Sequence, residues 1–210
     1  MAQDICAAVS RPGAVSACHL DVTDSASVEQ LFAWACQHVG VPDVLVNNAG
    51  TVARKPSAEM DDASWDAVID VNLSGVFRVA RVAARHMMAA GCNGSIINIA
   101  SILGLRVRAE VASYAASKAA VVQLTHALAL EWAGKGIRVN AIALGYFETD
   151  INRDLLRSPA GQALVSRIPM QRVGQMPELD GPLLLLASRA SAFMTGAVIP
   201  VDGGHLVNTL

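Results

Sequence analysis

Short apolar runs alternate along this chain with long helical patterns, and that alternation restricts the fold more than any other feature. The runs at 15–20, 43–47, 95–100, 137–143 and 197–201 read as strands. Helical spacing predicts helices over 26–39, 62–90, 112–133 and about 178–187. The first places Val28, Leu31, Phe32 and Ala35 on one face, with Asp24 or Ser25 as N-cap. The second spaces Trp65, Val68, Ile69, Leu73, Val76, Phe77 and Ala80 by threes and fours. Strands that are apolar on both faces and separated by helices need cover on both sides. This predicts an α/β fold with a doubly wound parallel sheet. The polar, loop-rich stretch from Gly145 to Pro177 reads as a lid or substrate loop.

Two hundred and ten residues suffice for one domain, 1–210. The formal net charge of −2 gives no basic footprint for nucleic acid or an anionic membrane. Hydrophobic residues at 53% against 16% charged argue against disorder. The longest apolar run, Leu183 to Val201, contains Arg189 and Pro200, so it does not read as a membrane span. The N-terminal residues carry Asp4 and lack a signal layout, so the expected location is cytoplasmic. Cys6, Cys18, Cys36 and Cys92 form no CxxC pair and read as free thiols. His19, His38, His86, His126 and His205 fall at no metal-ligand spacing, so no metal is expected.

The chemistry concentrates around Tyr114-Ala-Ala-Ser-Lys118, which opens the helix over 112–133. Residues four apart lie one turn apart on one helix face. An ammonium beside a phenol favours the phenolate, which can then act as a general acid or base near neutral pH. Ser101 ends a predicted strand thirteen residues earlier, where open α/β sheets gather ligand contacts. Asn47-Asn48-Ala49-Gly50 ends the preceding strand, and Asn72 sits among apolar neighbours inside a helix, where its amide needs partners.

These stretches together resemble the short-chain dehydrogenase/reductase family. The matching segments are DVTD at 21–24, NNAG at 47–50, VNLSG at 71–75 and GSIINIAS at 94–101. They continue through YAASK at 114–118 and RVNAIALGYFET at 138–149 to TGAVIPVDGG at 195–204. The closing part is most similar to members labelled gluconate 5-dehydrogenase or 3-oxoacyl-carrier-protein reductase. The resemblance implies a Rossmann-like fold and hydride transfer between NAD or NADP and a small carbonyl or alcohol substrate. It implies Tyr114 as acid/base, Lys118 lowering its pKa and holding ribose hydroxyls, and Ser101 bonded to the substrate oxygen. Asn72 would hold a water in a proton relay. Asp21 and Val22 would touch the adenine. Asn47, Ala49 and Gly50 would line the adenosine side, and Gly145, Phe147 and Thr149 would border the nicotinamide. It also implies a homo-oligomer, a dimer or tetramer.

The sequence departs from the family pattern where a first strand, a TGxxxGxG loop and a second strand would stand. Gly134-Lys-Gly136 follows a helix and precedes a strand, the wrong context for a phosphate loop. The expectation is an incomplete doubly wound sheet, truncated at its N-terminus. In it the 15–20 strand closes up beside 43–47 or leaves a gap, and 43–47 exposes an edge. Without the phosphate loop the chain should bind dinucleotide weakly, unless a group such as Arg11 or Arg54 takes over the phosphates. Leu144 stands where proline is usual. The alternatives are a non-catalytic binding or interaction protein, and a hydrolase using Ser101, which lacks a GxSxG elbow.

Overall fold

The computed structural model describes residues 15–148, 156 and 158–208. The sheet has four parallel strands in the order β1 (Val44–Asn47), β2 (Gly94–Ser101), β3 (Ile137–Leu144) and β4 (Val198–Val201). β2 and β3 pair along their whole length, from Gly94 opposite Ile137 to Ser101 opposite Leu144. The connecting helices are α1 (Ser25–His38), α2 (Asp62–Ile69), α3 (Val76–Ala89), α4 (Ala112–Trp132), α5 (Pro159–Val165) and α6 (Asp180–Ala187).

Alternation along the central strands sorts the core into two layers. Ile96 and Val139 face α1, α3 and α4, where they join Val28, Phe32, Val79, Ala83, Met87 and Leu128. Ile97 and Ile142 face the other way and pack with Leu186 of α6. All four of these strand residues are buried, as a sheet covered on both faces requires. Gly136, at φ +78, adopts the left-handed turn that ends the helical run and starts β3.

Two expectations need correction. Residues 15–20 do not form a strand: the chain from 15 to 21 has no regular structure before the turn at 22–23. A strand needs a hydrogen-bonded neighbour, and on this side the sheet begins at β1. The segment does not pair with β1: Leu20 and Val22 line a cavity together with Leu45, Val46 and Asn47 of β1, the gap that was one of the two expected outcomes, and they pack against the main core. The helix expected over 62–90 is also not uniform. Between α2 and α3, residues Asp70–Gly75 form a π turn. It has one residue too many per turn, a distortion that recurs at functional sites. Elsewhere boundaries agree within a residue or two, and Asp24 caps α1 by accepting from the amides of Ala26 and Ser27.

Candidate active site

Three strand ends converge on one cleft of about 490 Å³. β2 delivers Ser101, the loop after β1 delivers Asn48, Gly50 and Thr51, and the loop after β3 delivers Gly145, Tyr146 and Phe147. Tyr114 and Lys118 enter from the first turns of α4. Carboxyl ends of parallel strands are where open α/β sheets bind ligands.

The Ser101 hydroxyl is near enough to Tyr114 to act on its phenol, favouring the ionised form. Ser101 Oγ also accepts from the Leu103 amide at 3.1 Å. Lys118 Nζ lies 5.7 Å from the centre of the Tyr114 ring and donates to the Ile99 carbonyl at 2.7 Å. An ammonium has three donors, so two remain for a ligand or water. Gly104 lets the chain turn here: a Cβ on it would stand 2.7 Å from the backbone C and O of Lys118.

Burial decides the electrostatics. It pushes the Lys118 ammonium down to about 8. It pushes the Tyr114 phenol up; the Ser101 hydrogen bond acts against this and neighbouring Tyr146 adds to it. The shift of the phenol is thus set by burial, Ser101 and Tyr146, with Lys118 Nζ 5.7 Å from the ring centre.

Asn72 is fully buried in the π turn. Its Oδ1 accepts from the Thr51 amide at 2.8 Å, and its Nδ2 donates to the Thr51 carbonyl at 2.8 Å and to Ser117 Oγ at 3.1 Å. Ser117 Oγ in turn donates to the Tyr114 carbonyl at 2.8 Å. Asn72 thus ties the cleft wall to the helix that carries Tyr114. A Cβ on Gly50 would come 3.5 Å from Asn72 Oδ1 and 3.7 Å from Lys118 Nζ, so Gly50 borders both.

The remaining expected contacts scatter. Gly145 and Phe147 line the cleft. Val22, Asn47 and Ala49 surround a separate cavity of about 110 Å³, which shares Asn48 with the cleft. The Asn47 side chain is spent inside the protein: Nδ2 donates to Asn98 Oδ1 at 2.9 Å, and Asn98 Nδ2 donates to Thr125 Oγ1 at 2.9 Å. Asp21 lines neither cavity; it accepts from the Thr23 amide and hydroxyl, which hold its carboxyl below the usual carboxylate range. Thr149 lies outside the described residues. Sequence reasoning missed Tyr146 and Arg108, both in the cleft wall. Tyr146 packs against His205 with ring centres 5.7 Å apart. Its place beside Gly145 was the available signal; Arg108 had none.

A family model described as enoyl-(acyl carrier protein) reductase matches residues 1–205. The chain belongs to the short-chain dehydrogenase/reductase family. It is 48% identical over 166 residues to a 2-dehydro-3-deoxy-D-gluconate 5-dehydrogenase from Pseudoalteromonas atlantica, covering 78% of this chain and 65% of that protein. It is 41% identical over 196 residues to a 3-oxoacyl-[acyl-carrier-protein] reductase from Thermotoga maritima, covering 93% and 79%. Among solved structures, a gluconate 5-dehydrogenase from Burkholderia cenocepacia in complex with NADP and tartrate matches with a TM-score of 0.86 and 43% identity, covering 90% of this chain and 74% of that one. The chain thus spans just under two thirds of the Pseudoalteromonas protein and about three quarters of the other two. This dehydrogenase/reductase chain has the partly complete Rossmann-like sheet that its sequence implied.

Proposed function

We propose that this chain is an NAD- or NADP-dependent oxidoreductase that interconverts a ketone or aldehyde and an alcohol. The observation that carries this reading is the convergence of Ser101, Tyr114 and Lys118 in one cleft at the strand ends. The donor set suits the nicotinamide half of the cofactor: Lys118 has two uncommitted N–H groups beside open backbone at Gly50 and Gly145. When bound, the cofactor supplies or accepts the hydride. Tyr114 Oη gives its proton to the substrate oxygen in reduction and takes one back in oxidation. Its pKa above that of an ordinary phenol keeps it protonated and ready to donate. Ser101 Oγ donates to the same oxygen as charge develops there. Lys118 orients ribose hydroxyls, and Asn72 holds the wall and the helix in register as part of the relay that reprotonates Tyr114. Gly145, Phe147 and Thr149 border the nicotinamide; Asp21, Val22, Asn47, Ala49 and Gly50 lie toward the adenosine.

The 210 residues contain no glycine-rich loop between a strand and a helix, so we expect them to hold a dinucleotide weakly and to turn over slowly on their own. The partner is a small molecule, with no nucleic acid or membrane. A homo-oligomer, dimer or tetramer, is supported by Leu130, Leu184 and Phe193, which are 86%, 65% and 106% exposed. A cytoplasmic location is supported by Cys18, Cys36 and Cys92, all free. Among the described residues, no helix is long and apolar enough to cross a membrane.

The reading is tested by stereospecific transfer of deuterium from labelled NADPH or NADH to a ketone substrate. Transfer that survives in the wild-type chain and falls in Tyr114→Phe supports it, and transfer that is indifferent to Tyr114 rejects it.

A further inference from the structure

The chain carries a formal charge of −2, yet its cleft is lined by three cations, Arg54, Arg108 and Lys118, and by no carboxylate among the described residues. Lys118 is buried beneath the tyrosine and committed to Ile99. Arg54 and Arg108 are exposed on the cleft wall. Neither has a carboxylate partner among the described residues. Among the described residues, the side-chain hydrogen bond of Arg108 is a long one, 3.4 Å from Nη1 to the Tyr146 hydroxyl. Arg106, two residues earlier, shows the contrast: its guanidinium donates to the His205 carbonyl.

The two arginines stand 54 positions apart in sequence, and the backbone brings their loops together. The Lys55 amide donates to the Glu110 carbonyl at 3.0 Å, joining the loop that carries Arg54 to the loop that carries Arg108. Glu110 sits at φ +66, a conformation that side-chain-bearing residues seldom adopt. The first loop is clamped at Thr51 by Asn72. The second begins at the turn that Ser101 caps and ends at Val111, the N-cap of α4. Both arginine-bearing segments are therefore braced against elements that carry Ser101, Tyr114 and Lys118. A cleft with low-dielectric walls and one sign of charge concentrates ligands of the opposite sign, and a guanidinium fork matches a carboxylate with two parallel hydrogen bonds.

We infer that Arg54 and Arg108 recognise a carboxylate on the substrate, which is a hydroxy acid or keto acid rather than a neutral polyol or a thioester. This deepens the proposed oxidoreductase function and rests on it for the identity of the reacting group. Sequence spacing could not show the pairing, because the link between the loops is a single backbone bond.

The test is direct binding to the 210-residue chain by calorimetry, with D-gluconate against D-glucitol, which differ by one carboxylate. Gluconate should bind at least about tenfold more tightly, and added salt should weaken it alone. Arg54→Gln and Arg108→Gln should each erode that preference, and the double variant should abolish it. Circular dichroism should be unchanged, since both side chains are exposed, and NADPH affinity by fluorescence titration should stay within about twofold. Equal binding of the two compounds, no detectable gluconate binding at tens of millimolar, or a preference that survives the double variant overturns the inference. So does a parallel loss of NADPH affinity, which would give the arginines to the cofactor phosphates. Binding needs no turnover, so a chain that prefers gluconate but transfers no hydride upholds carboxylate recognition while rejecting the oxidoreductase reading.

Discussion

Lys118 passes the ring of Tyr114, 5.7 Å from its centre, and donates its ammonium to the carbonyl of Ile99 at 2.7 Å, two residues before Ser101. The side chain is 4% exposed, and burial lowers its pKa from 10.5 to about 8. Below pH 8 the folded and unfolded chains both hold this proton, and the fold bears the cost of a buried charge. Between pH 8 and 10.5 only the unfolded chain holds it, so stability rises with pH through that window. The gap between the two pKa values corresponds to a cost of about 3 kcal/mol at pH 7.

Replacing the ammonium removes that cost and one hydrogen bond worth about 1 kcal/mol. Lys118→Met should therefore be more stable than wild type by roughly 2 kcal/mol at pH 7 in urea unfolding, and the advantage should vanish by pH 10.5. A difference between the two proteins that does not change with pH would show that Lys118 is not held near 8.

Asn72, itself fully buried, satisfies three polar groups at once, the amide and carbonyl of Thr51 at the cleft surface and the buried hydroxyl of Ser117. Asn72→Ala should cost about 2 kcal/mol, mostly because the buried Ser117 hydroxyl and the π turn lose their partner. Amide exchange at Thr51 should accelerate with it. A loss under 0.5 kcal/mol, on the order of a surface substitution, would mean that the π turn is held by other contacts.

Gly104 abuts the backbone of Lys118 so closely that a methyl group has no room: the added Cβ would lie 2.7 Å from its C and O atoms. Gly104→Ala should destabilise the chain by about 1–3 kcal/mol. It should also displace α4 at Lys118 and so raise the KM for cofactor. Wild-type stability and kinetics in this variant would show that the loop adjusts freely.

Dinucleotide binding by these 210 residues should be weak, since contacts to the nicotinamide half are present and no glycine-rich phosphate loop is in the sequence. Fluorescence titration with NADPH should give a Kd well above the micromolar range. Low-micromolar affinity would require another anchor for the phosphates, such as Arg54.

Much of this was legible in the sequence, for physical reasons. The spacing of Val28 and Phe32, or of Val76, Val79 and Ala83, reports the buried faces of α1 and α3 directly. The thirteen residues from Ser101 to Tyr114 suffice to turn from a strand end into a helix start at the same cleft. The π turn was hidden because one extra residue in 70–75 barely disturbs a 3–4 pattern. The run at 15–20 looked like a strand because apolar residues alone cannot announce whether a neighbour exists to pair with. The inward bond of the Asn47 amide to Asn98 follows from their register in β1 and β2, which spacing along one strand does not show. The burial that shifts Lys118 and Tyr114 is a tertiary property, and YxxxK spacing does not contain it.

The central claim, that Tyr114 moves the proton while hydride is transferred, is tested most directly by the ratio of NADPH oxidation rates of wild type and Tyr114→Phe with the same keto acid. The phenylalanine keeps the ring and removes only the hydroxyl, so the ratio carries the test whatever the absolute rate. The account predicts a fall of about 10²-fold or more in the variant. A variant that turns over within about threefold of wild type would contradict it.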